Sequence, residues 1–114
     1  MAAIIDPDGT VSVVYRDSSV TVYPVNANGV YDENPDPPHG ADATLLTIYS
    51  AVNVALVTTT STNYGVKLPQ AEAGDYIEIY EVGAGYSVYV YDYSGNLLTG
   101  TRAGHFRYDG TVWR

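Results

Sequence analysis

The sequence predicts an all-β protein, a small antiparallel barrel or sandwich with an N-terminal hairpin or extended arm. Three observations lead there. The chain is rich in residues that suit a pleated, half-buried surface, with 12 tyrosines among 114 residues and many valines and threonines. Apolar side chains alternate with period two in run after run, while the three-and-four spacing of a helix is almost absent. Turn formers interrupt those runs at roughly eight-to-ten-residue intervals, the rhythm of a sandwich or barrel.

Taken in order, Asp6-Pro7-Asp8-Gly9 has turn chemistry, because Pro fixes φ at one corner and Gly accepts the conformation that follows. Thr10 to Tyr15 alternates, Asp17-Ser18-Ser19 offers a turn, and Val20 to Tyr23 alternates again before Pro24, which should end the ladder because it has no N–H to give. The expectation is a hairpin of those two runs. Residues 26–42 hold Asn28-Gly29 and Asn34-Pro35-Asp36-Pro37-Pro38-His39-Gly40, too many turn formers for regular structure. We read two parts: a hairpin arm with its Pro-rich connector over 1–42, and a β body over 43–114. The same composition also suits an ordered surface loop inside one domain.

In the body, Ala43 to Tyr49 and Val52 to Thr60 are β-prone runs around Ser50-Ala51. Tyr64 to Leu68 is a short strand stopped by Pro69. The turn Ala73-Gly74-Asp75 leads into Tyr76 to Val82, where Ile77, Ile79 and Glu81 fall on one face and Tyr76, Glu78, Tyr80 and Val82 on the other, so one face is wet or interfacial. Gly83-Ala84-Gly85 connects to Tyr86 to Tyr91, and Ser94-Gly95-Asn96 connects to Leu97-Leu98-Thr99. Gly104 to Tyr108, Asp109-Gly110 and Thr111 to Trp113 read as a closing hairpin with a two-residue turn. Trp113 is expected to close the core beside Arg114.

Charge and composition exclude several functions. A net charge of −8 with five basic residues gives no field that would attract phosphates, so nucleic acid is not an expected ligand. With no cysteine, neither disulfides nor thiolate metal sites can staple the fold. Leu45 to Val57 is too short and too polar to span a bilayer. No basic segment precedes an apolar one at the N-terminus, so no signal peptide is expected and the chain reads as soluble and unsecreted.

A search for chemistry finds little. Gly83-Ala84-Gly85 lacks the helix and the lysine of a phosphate loop. His39 and His105, the two histidines, lie far apart in sequence with nothing to place them together. Ser94-Gly95 is a turn and not a nucleophile elbow. Glu78 with Asp92, or Glu72 with Asp75, can be paired on paper as glycosidase carboxylates, but 13 acids always offer such pairs and a solvated face explains them. Asp6-Pro7-Asp8-Gly9 lacks the distal glutamate of a calcium loop. No catalytic residue, cofactor or metal is therefore assigned. The informative feature is tyrosine: Tyr76, Tyr80, Tyr86, Tyr89, Tyr91 and Tyr93 are too many for one small core to bury with every hydroxyl satisfied. Some should face a partner, or a carbohydrate, unless they only pair across strands on a solvated face.

The run Lys67-Leu68-Pro69-Gln70-Ala71, then Ala73-Gly74-Asp75, Ile77-Glu78-Ile79, Val82-Gly83-Ala84 and Ser87-Val88-Tyr89-Val90-Tyr91 resembles a β-domain that recurs in tailed-bacteriophage structural proteins. Asn53 to Thr60 and the terminal Tyr108-Asp109-Gly110-Thr111-Val112-Trp113-Arg114 also suit the pattern, which covers roughly residues 43–114. Glu81 stands where the pattern often has Asn, and Asp92 where it often has Pro. The resemblance implies a non-enzymatic virion protein made in the host cytoplasm. Its closest fit is a capsid decoration or cement protein that binds the major capsid protein on the outer shell as a homotrimer. The competing implication is a head- or tail-fibre domain that recognises a host receptor or carbohydrate. On the first reading Tyr76, Tyr80, Tyr89 and Tyr91 pack subunits together, and Ile4, Ile5, Val11, Val13 and Tyr15 anchor the arm to the capsid.

Overall fold

Most of the alternating runs do become strands, but the chain winds them differently from the hairpins expected. In the computed structural model, residues 2–5, 11–14, 20–26, 43–60 and 62–114 are described. Their ten strands are β1 (Ala2–Ile5), β2 (Val11–Val14), β3 (Val20–Asn26), β4 (Thr44–Leu45), β5 (Val52–Thr59), β6 (Tyr64–Lys67), β7 (Tyr76–Gly83), β8 (Val88–Tyr91), β9 (Leu97–Thr101) and β10 (Ala103–Arg107). No helix of the described residues is long and apolar enough to cross a membrane.

β1 and β2 form a two-stranded antiparallel sheet, and the other strands form two sheets of four, ordered β10-β7-β5-β3 and β4-β6-β8-β9. From β3 to β8 successive strands alternate between the two sheets, so neighbours within a sheet are parallel: β3, β5 and β7 in one, β4, β6 and β8 in the other. Val52 pairs with Tyr76 and Val66 with Val90, in each case 24 residues further on. The result is a sandwich wound as a flattened coil. Only its last two strands turn back: β9 lies antiparallel on β8 and β10 antiparallel on β7. The sandwich expectation therefore holds, with mixed pairing in place of antiparallel pairing and without closure into a barrel.

Two expectations about the N-terminal third need correction. Val11–Val14 pairs with Ala2–Ile5 and not with Val20–Tyr23; the Asp6-Pro7-Asp8-Gly9 stretch lies outside the described residues. β3 instead runs through Pro24 to Asn26 and pairs along its whole length with β5. Proline is tolerated there because β3 is the outermost strand of its sheet and only alternate residues owe their N–H to β5. Val25 joins the core, the Tyr23 hydroxyl donates to the Thr47 carbonyl at 2.9 Å, and the Tyr23 and Tyr49 rings meet edge to face at 4.9 Å. Burial pushes the Tyr23 phenol up to about 12. The body thus includes Val20–Asn26 and does not begin at residue 43; the Pro-rich connector and His39 lie outside the described residues.

The core forms where the inward faces of the two sheets meet. Val25, Ala55, Val57, Ile77, Ile79 and Phe106 from one sheet pack with Tyr64, Val66, Val88 and Val90 from the other, joined by Leu46, Leu68 and Trp113. Complete burial of each Val or Ile contributes roughly 1.5–3 kcal/mol relative to exposure. The corners of the coil are held by polar groups. Asn53, fully buried, accepts from the Tyr49 and Ser50 amides and donates to the Ser50 and Tyr76 carbonyls, which satisfies its whole side-chain amide. At the opposite corner Glu81 accepts from the Thr59 hydroxyl at 2.6 Å and the Gly85 amide at 2.8 Å. Those two bonds hold its carboxyl below the usual range. Gly83 is required beside it: its φ is +104°, and a Cβ would stand 2.5 Å from the Thr59 carbonyl oxygen.

Candidate interaction surfaces

Side-chain alternation along the sheet β10-β7-β5-β3 sends every second residue outward, and the register lines these up in rows. One row runs Val20, Val52, Tyr76, Arg107; the next Val22, Val54, Glu78, His105; the next Pro24, Leu56, Tyr80, Ala103. The face is therefore divided. Its β3–β5 half is aliphatic, with Val20 60% and Val22 58% exposed and Val52, Val54 and Leu56 partly so. Its β7–β10 half carries tyrosines and charge.

The second half is a connected cluster. The Tyr80 hydroxyl donates to Glu78 Oε1 and lies 3.3 Å from His105 Nε2, which is itself 3.7 Å from Glu78 Oε1. The Arg107 guanidinium sits over the Tyr76 ring, 5.0 Å from its centroid. Hydrogen bonding to Glu78 raises the Tyr80 phenol above its ordinary value, and partial burial, then Glu78, does the same for Tyr76. The Tyr80 hydroxyl is thereby held toward Glu78 and the Tyr76 ring lies under the Arg107 guanidinium.

The four tyrosines expected at a subunit interface are not brought together. Tyr76 and Tyr80 share the face just described, as the alternation predicted. Tyr89 lies on the other sheet, paired with Gly65 and Gly100, and its ring occupies the space over Gly100, where a Cβ would approach it to 2.7 Å. Asn63 donates to its hydroxyl at 3.3 Å. Tyr89 thus has a local role, covering a strand glycine that would otherwise expose backbone. Tyr91 is fully buried and has no surface to offer a partner; it lies at a register shift between Val90 and Tyr91, which sequence alternation does not foresee.

The N-terminal candidates fall on the β1–β2 hairpin. Its register pairs Ala3 with Val13 and Ile5 with Val11, while Ile4 pairs with Ser12. Tyr15 lies outside the described residues.

Neither carboxylate pair forms a cleft. Glu78 is on β7 and Asp92 follows β8 in the opposite sheet. Asp75 is buried and accepts from the Glu72 amide at 2.9 Å, a turn-holding role. Among the described residues, no three His, Cys, Asp or Glu side chains come together as a metal site.

One surface feature escaped the sequence altogether. At one end of the sandwich the β6–β7 loop, the β8–β9 turn and the C-terminal residues enclose an open groove of about 710 Å³. Trp113 and Tyr108 form part of its lining, their rings edge to face at 5.5 Å, and Trp113 Nε1 donates to the Pro69 carbonyl at 2.9 Å. That bond ties the Leu68-Pro69-Gln70-Ala71 motif to the terminal Tyr108–Trp113 stretch. The terminal turn is wider than expected, with the Asp109 amide donating to the Val112 carbonyl at 3.1 Å.

No protein-family model matches this chain, and no curated protein matches it. A solved structure described as "Structure of a chaperone-substrate complex" is similar in fold, with a TM-score of 0.53 at 14% identity over 94% of this chain. The match takes in 17% of that chain, so this protein corresponds to a small part of the larger one. At that identity the likeness concerns the β architecture alone.

Proposed function

We propose that this chain is a non-enzymatic structural protein of a tailed-phage virion, a decoration protein that assembles as a trimer and clamps the outer surface of the capsid. The observation that carries the assembly reading is the aliphatic half of the β3–β5 outer face. In a chain with only 16% charged residues, a solvated sheet face would be expected to hold its charges, yet three register rows there read Val-Val, Val-Val and Pro-Leu. Contiguous exposed apolar surface of this kind marks association. A closed threefold ring needs two different patches on each subunit, and the divided face supplies them: an aliphatic strip, and a tyrosine strip with a satisfied polar network.

The capsid-binding half of the reading is supported by the β1–β2 hairpin. A two-stranded sheet is marginal alone in water, and its register pairs apolar residues, Ala3 with Val13 and Ile5 with Val11, so an arm of this kind gains stability when a further strand joins it or a partner covers it. Three such arms on one trimer give avidity from individually weak contacts. The phage assignment itself rests on the sequence resemblance, whose Leu-Pro-x-Ala motif and terminal Tyr-Asp-Gly-Thr-Val-Trp run meet at the Pro69–Trp113 hydrogen bond.

The test is co-sedimentation of the purified chain with shells assembled from the cognate major capsid protein. Binding should saturate at a fixed ratio of three chains per site, and fall at least tenfold with Ile5→Asp plus Val13→Asp. Shells that retain no chain, or that bind the doubly substituted chain equally well, would refute the decoration role.

A further inference from the structure

We propose that the groove at the end of the sandwich is a binding site for a neutral saccharide. The site is independent of the trimer face, which lies on the outer surface of one sheet, and it does not depend on the capsid-clamping role.

Its volume, about 710 Å³, lies within the range of small-ligand sites, and its aromatic lining is held rigid before any ligand arrives. Trp113 is fixed by its bond to the Pro69 carbonyl, and the Tyr108 hydroxyl donates to the Thr111 carbonyl at 2.9 Å. Tyr93 stands at the wall with 46% of its surface exposed and the Lys67 ammonium 5.8 Å from its ring centroid. Pre-ordered rings lose little freedom on binding.

The polar lining decides the ligand class. The side chains of Gln70, Ser94 and Thr111 line the groove and make no hydrogen bonds with the described residues, so neutral donors and acceptors are available. The one carboxylate of the lining is already committed: Asp92 Oδ1 accepts from the Ser94 and Asn96 amides and Oδ2 from Asn96 Nδ2. The lining contains no Lys, Arg or His. The nearest cation, the Lys67 ammonium, lies over the Tyr93 ring and is not part of the lining, so the groove favours a neutral ligand. A pyranose ring offers what the groove can use, an apolar C–H face to lie on an aromatic ring and a rim of hydroxyls for amide and hydroxyl partners.

The experiment uses the full chain on an array of neutral, sialylated and sulfated oligosaccharides, followed by solution titration of each retained glycan. Trp113 is the single tryptophan, so its selectively excited emission reports from the groove. The expected result is retention of neutral oligosaccharides, saturable change in Trp113 emission, and affinity at least tenfold weaker in Tyr93→Ala and in Gln70→Ala. Both side chains lie at the surface, so each variant should keep the parent's far-ultraviolet spectrum, and Tyr86→Ala, 40% exposed ahead of β8 and outside both the groove and the trimer face, should bind like the parent. The proposal is overturned by an array that retains no neutral glycan, by preference for the charged ones, or by binding unaltered in both groove variants. A response of Trp113 to a proline-rich peptide but not to sugar overturns it equally.

Discussion

Replacing Asn53 with alanine should be among the most damaging single changes outside the apolar core. The Asn53 side chain, with no solvent exposure, receives the Tyr49 and Ser50 amides at 2.8 and 3.2 Å and gives its own two hydrogens to the Ser50 and Tyr76 carbonyls, both at 3.0 Å. A hydrogen bond contributes roughly 0.5–1.5 kcal/mol net, and a buried group left unpaired costs about 1–3 kcal/mol. Tyr49 is exposed and its amide can recover some hydration, whereas Ser50 is fully buried and cannot. Weighing two bonds as fully lost and two as partly recovered gives about 3–4 kcal/mol. That is a large share of the stability of a domain this size, roughly 5–15 kcal/mol. Urea unfolding followed by circular dichroism at fixed protein concentration measures it: the midpoint should fall with little change in slope. Asn53→Asp, which keeps the acceptors but directs a carboxylate at two carbonyls, should also lose more than about 2 kcal/mol. A loss below about 1 kcal/mol in Asn53→Ala would show that this corner does not depend on the amide and would refute the account of it.

Other expectations follow from the same geometry. Gly83→Ala combines a positive φ with a backbone clash and should cost more than about 2 kcal/mol, whereas Gly110→Ala, with φ +101° and its nearest neighbour at 3.4 Å, should cost about 1 kcal/mol; the reverse order in thermal unfolding would contradict the corner geometry. Trp113→Phe keeps the ring but removes the bond to Pro69, leaving a carbonyl without its indole partner, and should cost about 1–2 kcal/mol by the same urea assay. Asp109 accepts from the Val112 and Thr111 amides and from Arg114, which hold its carboxyl down at about 2. A carboxyl depressed in the folded state contributes stability that is present above its ordinary value of 3.8 and is lost as pH falls through about 2. An NMR titration should find the Asp109 midpoint near 2, and Arg114→Ala should move it upward; a midpoint at the ordinary value would show that the terminal turn is not formed.

Most strands were legible because a strand buried on one face writes its alternation directly into the sequence: Ile77 and Ile79 inward, Tyr76, Glu78 and Tyr80 outward. Pairing was not legible. Gly83-Ala84-Gly85 looks like a hairpin loop because a short connection needs the same residues whether it returns to the same sheet or crosses to the facing one. Only the partner strand decides, and that information lies 24 residues away. Pro24 signals the end of a strand because its missing N–H is prohibitive in a central strand; the edge position that makes it harmless is a property of the sheet. Alternation groups Tyr91 with Tyr89, whereas the register shift beside it leaves Tyr91 fully buried. The groove was invisible because its walls come from residues 69–71, 92–98 and 108–113, which only the fold assembles.

The central claim is that the outer face of the β3-β5-β7 strands is an assembly surface. Sedimentation equilibrium of the full chain tests it most directly, with Val22→Glu and Val54→Glu combined on that face and Leu45→Glu, 52% exposed on the other sheet, as the control. A shortened chain that begins at residue 41 is unsuitable, because it removes β3 and the core contribution of Val25. The account predicts three copies of the 12.3 kDa chain for the parent and for Leu45→Glu, and a folded monomer for the double substitution. A parent chain that remains monomeric at tens of micromolar, or a double variant that still forms trimers, would contradict it.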